Sequence, residues 1–100
     1  MPTRQGVLHN AIAANNTSAT FDVNGTASLT FHTKAASVTS GATMAFETLT
    51  PAGDWSALDS RAVIANGNTI VTAIGTFTQV RAVISGYVDG TYTTSVVVGT

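Results

Sequence analysis

The stretch from Phe77 to Val98, FTQVRAVISGYVDGTYTTSVVV, decides the fold class. It contains two runs in which apolar and polar side chains alternate, separated by a short segment that carries Asp89-Gly90. Such alternation is typical of β-strands with one buried face, and an Asp-Gly pair between two runs is typical of a β-hairpin. The stretch therefore predicts two paired antiparallel strands, the first of which faces the core with Val80, Ala82 and Ile84.

The same alternation runs through the rest of the chain from Ala19 onward. Met44 and Phe46 share one face of a run, and Ile70 and Ile74 share one face of another. Turn signals separate the runs, among them Asn24-Gly25, which tolerates positive φ at both positions. About seven or eight short strands at this spacing predict an all-β fold, a single antiparallel β-sandwich or jelly-roll-like domain.

Residues 1–18 differ from the rest of the chain. They are mildly apolar without a clean period, and they end in the polar cluster Asn15-Asn16-Thr17-Ser18. We therefore predict an extended N-terminal arm over 1–18 and the β-sandwich over 19–100. A poorly paired first strand and a short amphipathic helix are the alternatives, and Gly6 weakens the helix.

Composition excludes several classes of protein. The chain has 100 residues, enough for one domain, of which 44% are hydrophobic and only 9% charged. The formal net charge is -1, so the chain lacks the excess of basic residues that binding to nucleic acid or to an anionic membrane requires. The absence of cysteine excludes disulfides, thiolate metal sites and cysteine nucleophiles. There is no signal-peptide pattern and no apolar run of membrane-spanning length, so we expect synthesis in a cytoplasm without export by that route. A surface so poor in charge suits a protein that works inside an assembly.

Three segments together resemble a small β-sandwich domain of tailed-bacteriophage virion proteins. They are Gly41-x-x-Met44-x-Phe46-Glu47 followed by Trp55, the strand with Val80-Arg81, and the strand from Gly90 to Val98. The family pattern reads G-x-v-x-F-E-x-S-x-D-G-x-x-W, then V-R-v-r, then S-G-T-x-x-v-x-v, and the resemblance covers residues 19–99. Two positions depart from it: the acid of the first loop, Asp54, follows its glycine, and Asp89 replaces the serine before Gly90.

The resemblance implies a virion structural role, and we predict a capsid decoration (cement) protein on the head exterior. Its partner would be the major capsid protein of the shell. The threefold and quasi-threefold sites of shells favour a homotrimer. An arm needs a partner to order it, so the predicted shell contacts lie in the arm: Pro2, Thr3, Arg4, Gln5, Val7, Leu8 and Ile12.

The last strand carries valine on both faces, because Val96 and Val98 alternate with Val97. One of these faces is expected to meet another subunit. Glu47 and Arg81 lie in strands otherwise short of charge, and we expect them to pair across neighbouring strands or at a subunit interface. The predicted oligomer interface therefore comprises Tyr92, Val96, Val97, Val98, Arg81 and Glu47.

Little in the sequence predicts chemistry, so we expect no enzyme and no cofactor. His9 and His32 lack metal-ligand spacing, and neither a serine-hydrolase elbow nor a phosphate loop is present. Two uses of the acids stay open: a glycosidase pair of Glu47 with Asp54 or Asp59, and a loop calcium site. The alternative function is a carbohydrate-binding module of a tail or fibre, with an aromatic platform for glycan made of Trp55, Tyr87 and Tyr92.

Overall fold

The computed structural model describes residues 3–99, with side chains from Arg4 onward, and this part of the chain contains seven antiparallel strands. Pro2, one of the predicted shell contacts, lies outside these residues. The all-β prediction is confirmed, and the number of strands agrees with it. The strands are β1 (Thr3–Ile12), β2 (Asn16–Thr17), β3 (Phe21–Ala36), β4 (Ala42–Leu49), β5 (Trp55–Val63), β6 (Gly67–Ser85) and β7 (Thr91–Gly99).

The strands form one sheet in the order β1-β7-β3-β6-β4-β5, and β2 pairs with β6. The first part of β6 pairs with β3, whereas residues 80–85 pair with β4. Phe31 of β3 and Phe46 of β4 are not on adjacent strands, yet their rings stack with centroids 4.6 Å apart. The sheet therefore folds over on itself, and its two layers enclose a core as in a β-sandwich.

Alternation in the sequence identified the core-facing side chains of the second part of β6 correctly. It also placed Met44 and Phe46 on one face of β4, and that face is the buried one. Met44, Phe46, Val80, Ala82 and Ile84 are all at most 1% exposed. Burial of these side chains supplies the main favourable free energy of folding. Ile70 and Ile74 do share a face, but it is the outer face, where they are 57% and 83% exposed.

The predicted hairpin between Phe77 and Val98 is wrong. β7 lies between β1 and β3, and β6 pairs with β2, β3 and β4. Residues 86–90 instead carry the chain from one layer of the sandwich to the other. Alternation reports which side chains are buried, and it does not report which strand lies alongside.

Asn24-Gly25 is a bulge within β3 and not the predicted turn. The register against β6 shifts between Asp22 and Gly25, and both Asn24 (φ 54°) and Gly25 (φ 149°) have positive φ. The same backbone preference that suits a tight turn also suits a bulge. The bulge allows β3 to continue to Ala36 as a single long strand.

The prediction of an arm over 1–18 is also corrected. β1 pairs with β7 from Thr3↔Gly99 to Ile12↔Tyr92, and β2 pairs with β6. This agrees with the alternative of a first strand. Register shifts after Val7 and after His9, with Ala11 at φ 52°, break the alternation that marks a strand in sequence. A bulged edge strand therefore resembles an irregular arm.

Candidate functional site

The three residues that carry most of the family resemblance come together on the β4-β5-β6 layer. Glu47 lies directly opposite Arg81, whose Nε donates a hydrogen bond of 2.8 Å to Glu47 Oε1. The Arg81 guanidinium also lies over the Trp55 ring, 4.1 Å from its centroid. Both charged side chains are half-buried, with 25% and 20% of their surface exposed. The expected pairing across neighbouring strands is thus the arrangement found, and it stabilises the sheet.

Reversing the charge at Arg81 should destabilise the fold measurably. Arg81→Glu places two carboxylates opposite each other and removes the cation from Trp55, so we expect a loss of about 1–3 kcal/mol in the free energy of unfolding. Denaturant titration measures it. The double variant Glu47→Arg/Arg81→Glu should recover part of the loss.

Arg61→Glu is the matched control, because Arg61 pairs with Asp59 at 2.7 Å on an exposed part of β5. Such surface pairs contribute little. Equal stability of the Arg81→Glu and Arg61→Glu variants would contradict a stabilising role for the Glu47–Arg81 pair.

The aromatic side chains do not form a platform for glycan. Trp55 stands opposite Leu49 at one end of β4, and Arg81 covers a face of its ring. Tyr87 and Tyr92 pack edge to face with centroids 6.3 Å apart, near Gly41 at the other end of β4. Tyr92 is buried, and both tyrosine hydroxyls donate to backbone carbonyls of Asp89 and Gly90. The structure therefore uses these rings in packing.

Asp89 fastens the crossing between β6 and β7. Its carboxylate accepts hydrogen bonds from the backbone N–H groups of Gly41 (2.8 Å), Thr39 (3.1 Å) and Ser40 (3.1 Å), which together lower the pKa of Asp89. Gly41 in turn accepts a bond of 2.9 Å from Val88 N–H. The Asp-Gly pair of the sequence thus belongs to a crossing between layers.

The predicted shell contacts on β1 from Arg4 onward differ in how much of each side chain is available to a partner. Gln5 and Val7 point outward, and with Gly6 and Ser95 they line a depression of about 310 Å³. Arg4 is exposed but engaged, because its guanidinium donates to the carbonyls of Asp22 and Val23. Two others, Leu8 and Ile12, are half-buried against the core, which leaves only part of each side chain for a partner.

Three residues of the predicted oligomer interface lie in the core of the chain itself. Tyr92, Val96 and Val98 are all 0% exposed, so the prediction that they contact another subunit is corrected. Val97 is half-buried on the opposite, outer face, beside Gln5 of β1. Of the two valine faces of β7, the outer one is available to a partner.

His9 is the one buried histidine of the described residues. It is 1% exposed; its Nδ1 lies 3.2 Å from Thr94 Oγ1, which in turn lies 3.3 Å from Thr33 Oγ1. Burial lowers the pKa of His9, although Asn16 near the ring opposes the shift. Nε2 is buried without a hydrogen-bond partner. A neutral imidazole is therefore favoured in the folded chain.

This arrangement predicts a loss of stability in mild acid. The unfolded chain takes up a proton at His9 near the ordinary pKa of 6.5, before the folded chain does. The His9 contribution should therefore be complete above about pH 6.5 and fall below it, by at most about 1.4 kcal/mol per pH unit, until the folded state also binds the proton. Free energies of unfolding between pH 7.5 and about 5 measure it. In His9→Gln the slope should be smaller; an unchanged slope would contradict the assignment.

Two of the acids singled out as possible ligands or catalytic groups are paired with arginines. Glu47 accepts a hydrogen bond from Arg81, and Asp59 accepts one from Arg61. Within residues 3–99, no group of three or more His, Asp or Glu side chains is placed to hold a metal ion. In the same part of the chain no helix qualifies as a transmembrane span.

Comparison with known proteins identifies the fold. No family model and no curated protein matches the sequence. Among solved structures, the SPBc2 prophage-derived protein YomS superposes with a TM-score of 0.70 at 15% identity, covering 98% of this chain and 94% of that one. The two chains share a fold.

Two further structures have the same fold at lower similarity. One belongs to Bacillus endospore appendages, described as disulfide-linked pili (TM-score 0.54, 14% identity, 99% of this chain and 83% of that one). The other is PirA (TM-score 0.53, 14% identity, 93% and 90%). The present chain contains no cysteine, so no disulfide of its own links it to a neighbour.

Proposed function

We propose that this chain is a structural protein of a bacteriophage or prophage particle, without catalytic activity. Within that class we propose a capsid decoration protein that binds the outside of the head shell. The observation that carries the proposal is the likeness to a prophage-derived protein, which extends over 98% of this chain and 94% of the other. The Glu47–Trp55–Arg81 cluster supports it, because these residues carry the sequence resemblance to virion sandwiches and contact one another.

The partner that we propose is the major capsid protein, bound through the outward surface of β1. Gln5 and Val7 are exposed there beside the depression that they line, and Val97 continues the surface onto β7. Val7 is apolar and 65% exposed, so a partner that covers it would remove apolar surface from water. Binding would stabilise the bound shell by mass action.

Truncation of β1 is a poor test of this contact. Removing residues 1–12 would uncover β7 and delete the buried His9, so a truncated chain would lose part of its fold. A point variant is cleaner. Val7→Lys places a charge in the proposed contact, and Val88→Lys is matched to it, because Val88 is also 65% exposed but lies in the crossing between β6 and β7.

The purified chain should sediment together with heads that lack it. We expect Val7→Lys to weaken this binding about tenfold or more, since burying an unpaired ammonium opposes association, and Val88→Lys to bind as the parent does. Equal binding of both variants would place the contact elsewhere. A parent chain that does not bind heads would contradict the decoration function itself.

The homotrimer stays a prediction for the chain bound to a shell and not for the free chain. Threefold sites of a shell still favour it, but three residues of the interface predicted for it, Tyr92, Val96 and Val98, are buried in the core of the chain itself.

A further inference from the structure

The first part of β6 is a free edge of the sheet. Residues 67–77 pair with β3 on one side, and no strand of residues 3–99 pairs with them on the other. The outward side chains of this segment are uncovered as well: Ile70 is 57% exposed and Ile74 is 83% exposed. Two of the five large exposed apolar side chains of the described chain thus lie on one unpaired strand.

This edge lacks the features by which proteins keep edges unpaired. Such features are charges, proline, bulges and short length. The sequence contains no charged residue and no proline from Ala62 to Val80. By contrast, β1 is bulged and carries Arg4, and β5 carries Asp59 and Arg61. The free edge of β6 is therefore the one on which a further strand can pair without opposition.

The edge is also complementary to itself. The sequence from Ile70 to Ile74, IVTAI, is nearly palindromic about Thr72. In a two-fold antiparallel pairing centred on Thr72, residue 72 faces its own copy, Ile70 faces Ile74, and Val71 faces Ala73. Each exposed isoleucine then covers the exposed isoleucine of the other chain, and the outer faces of the two layers become continuous.

We propose that two copies of this chain associate by pairing residues 68–76 of β6 with the same residues of the second copy. The occupant is a second copy because the edge offers no charge for a charged partner to recognise and matches its own pattern in register. Nine residues from each strand would contribute about nine backbone hydrogen bonds over roughly 30 Å. The pairing joins two four-stranded layers into one sheet.

The association is independent of the proposed head binding, which uses β1 on the far side of the same layer. β7 and β3 separate β1 from the first part of β6. Variants of one surface should therefore leave the other function unchanged, and the two proposals fail separately.

A pair of double variants tests the register. In Ile70→Lys/Ile74→Lys, each lysine faces a lysine of the other copy, and we expect association to weaken about 100-fold or more. In Ile70→Lys/Ile74→Glu, each lysine faces a glutamate across the two-fold axis, and association should persist. Both variants change the same two exposed positions, so folding is affected alike, which thermal unfolding verifies. Val88→Lys is the surface control.

Sedimentation equilibrium gives the mass of each protein from about 1 μM to about 1 mM, a range that covers weak as well as stable pairing. We expect the parent chain to form a dimer of twice the 10.2 kDa subunit mass. A parent that is monomeric throughout, or trimeric, overturns the proposal. It is equally overturned if the Lys/Lys variant dimerises as the parent does, or if the Lys/Glu variant is as weak as the Lys/Lys variant.

Discussion

Gly41→Ala is expected to prevent stable folding. Gly41 has φ +88°, and a Cβ added there would stand 1.9 Å from the backbone oxygen of Val63. Neither group can turn aside: the Gly41 N–H is bonded to Asp89, and Val63 is paired with Ala42. The strained φ alone costs about 1–2 kcal/mol. Together with the overlap, we expect the free energy of unfolding to fall by more than about 4 kcal/mol, which is close to the whole stability of a small domain.

Gly53→Ala separates backbone strain from the overlap. Gly53 has a similar φ of +92°, but an added Cβ would meet nothing within 4 Å. The free energy of unfolding of this variant should therefore fall only by the cost of the positive φ, about 1–2 kcal/mol. Soluble yield, circular dichroism and thermal unfolding of the two variants measure the difference. Similar stability of both would mean that Gly41 is not held against Val63.

Phe46→Ala is the second change with a large expected effect. Phe46 is 0% exposed, and its ring stacks on Phe31 at 4.6 Å with an angle of 22° between the planes. This contact joins β4 to β3 across the core. Removing the ring leaves a cavity between the layers, so we expect a loss of about 3–5 kcal/mol and a fall in Tm of roughly 15–30 °C.

Two variants control for this effect. Phe46→Leu retains most of the buried volume and should lose clearly less. Val88→Ala removes an apolar side chain that is 65% exposed, and its stability should stay within about 0.5 kcal/mol of the parent. A loss below about 1 kcal/mol for Phe46→Ala would contradict the stacked core between the layers.

The fold class and the buried face of the strands were predictable because both depend on a period of two residues. Met44, Phe46, Val80, Ala82 and Ile84 occupy alternate positions of their strands, and all five are buried in the core. The period is a local property, produced by the pleat of a single strand. It is therefore present in the sequence whichever strand lies alongside.

The neighbours of each strand were not predictable in the same way. β7 pairs with β1 and β3 although β6 precedes it in the chain, because the short segment with Asp89-Gly90 crosses between layers. An Asp-Gly pair satisfies a hairpin turn and this crossing equally well. β1 was not predicted as a strand because its bulges interrupt the alternation of apolar and polar side chains.

The candidate sites were also predictable only in part. Glu47 and Arg81 were paired correctly because each is a rare charge in an apolar strand. A register that places them opposite each other gives each charge a partner of opposite sign. Tyr92, Val96 and Val98 were assigned to an interface because a strand with valine on two faces leaves open which face the chain itself covers. Ile70 and Ile74 carry the same ambiguity, and only the layer order shows that their face is open.

The location of the chain in a particle tests the central claim most directly. Particles released by cells that carry its gene can be separated into heads and tails, and the chain quantified in each by mass spectrometry. The decoration function predicts the chain in the head fraction, with density for a small β-sandwich on the outer surface of the shell by cryo-electron microscopy. Its presence in tails alone, or its absence from particles, would contradict the account.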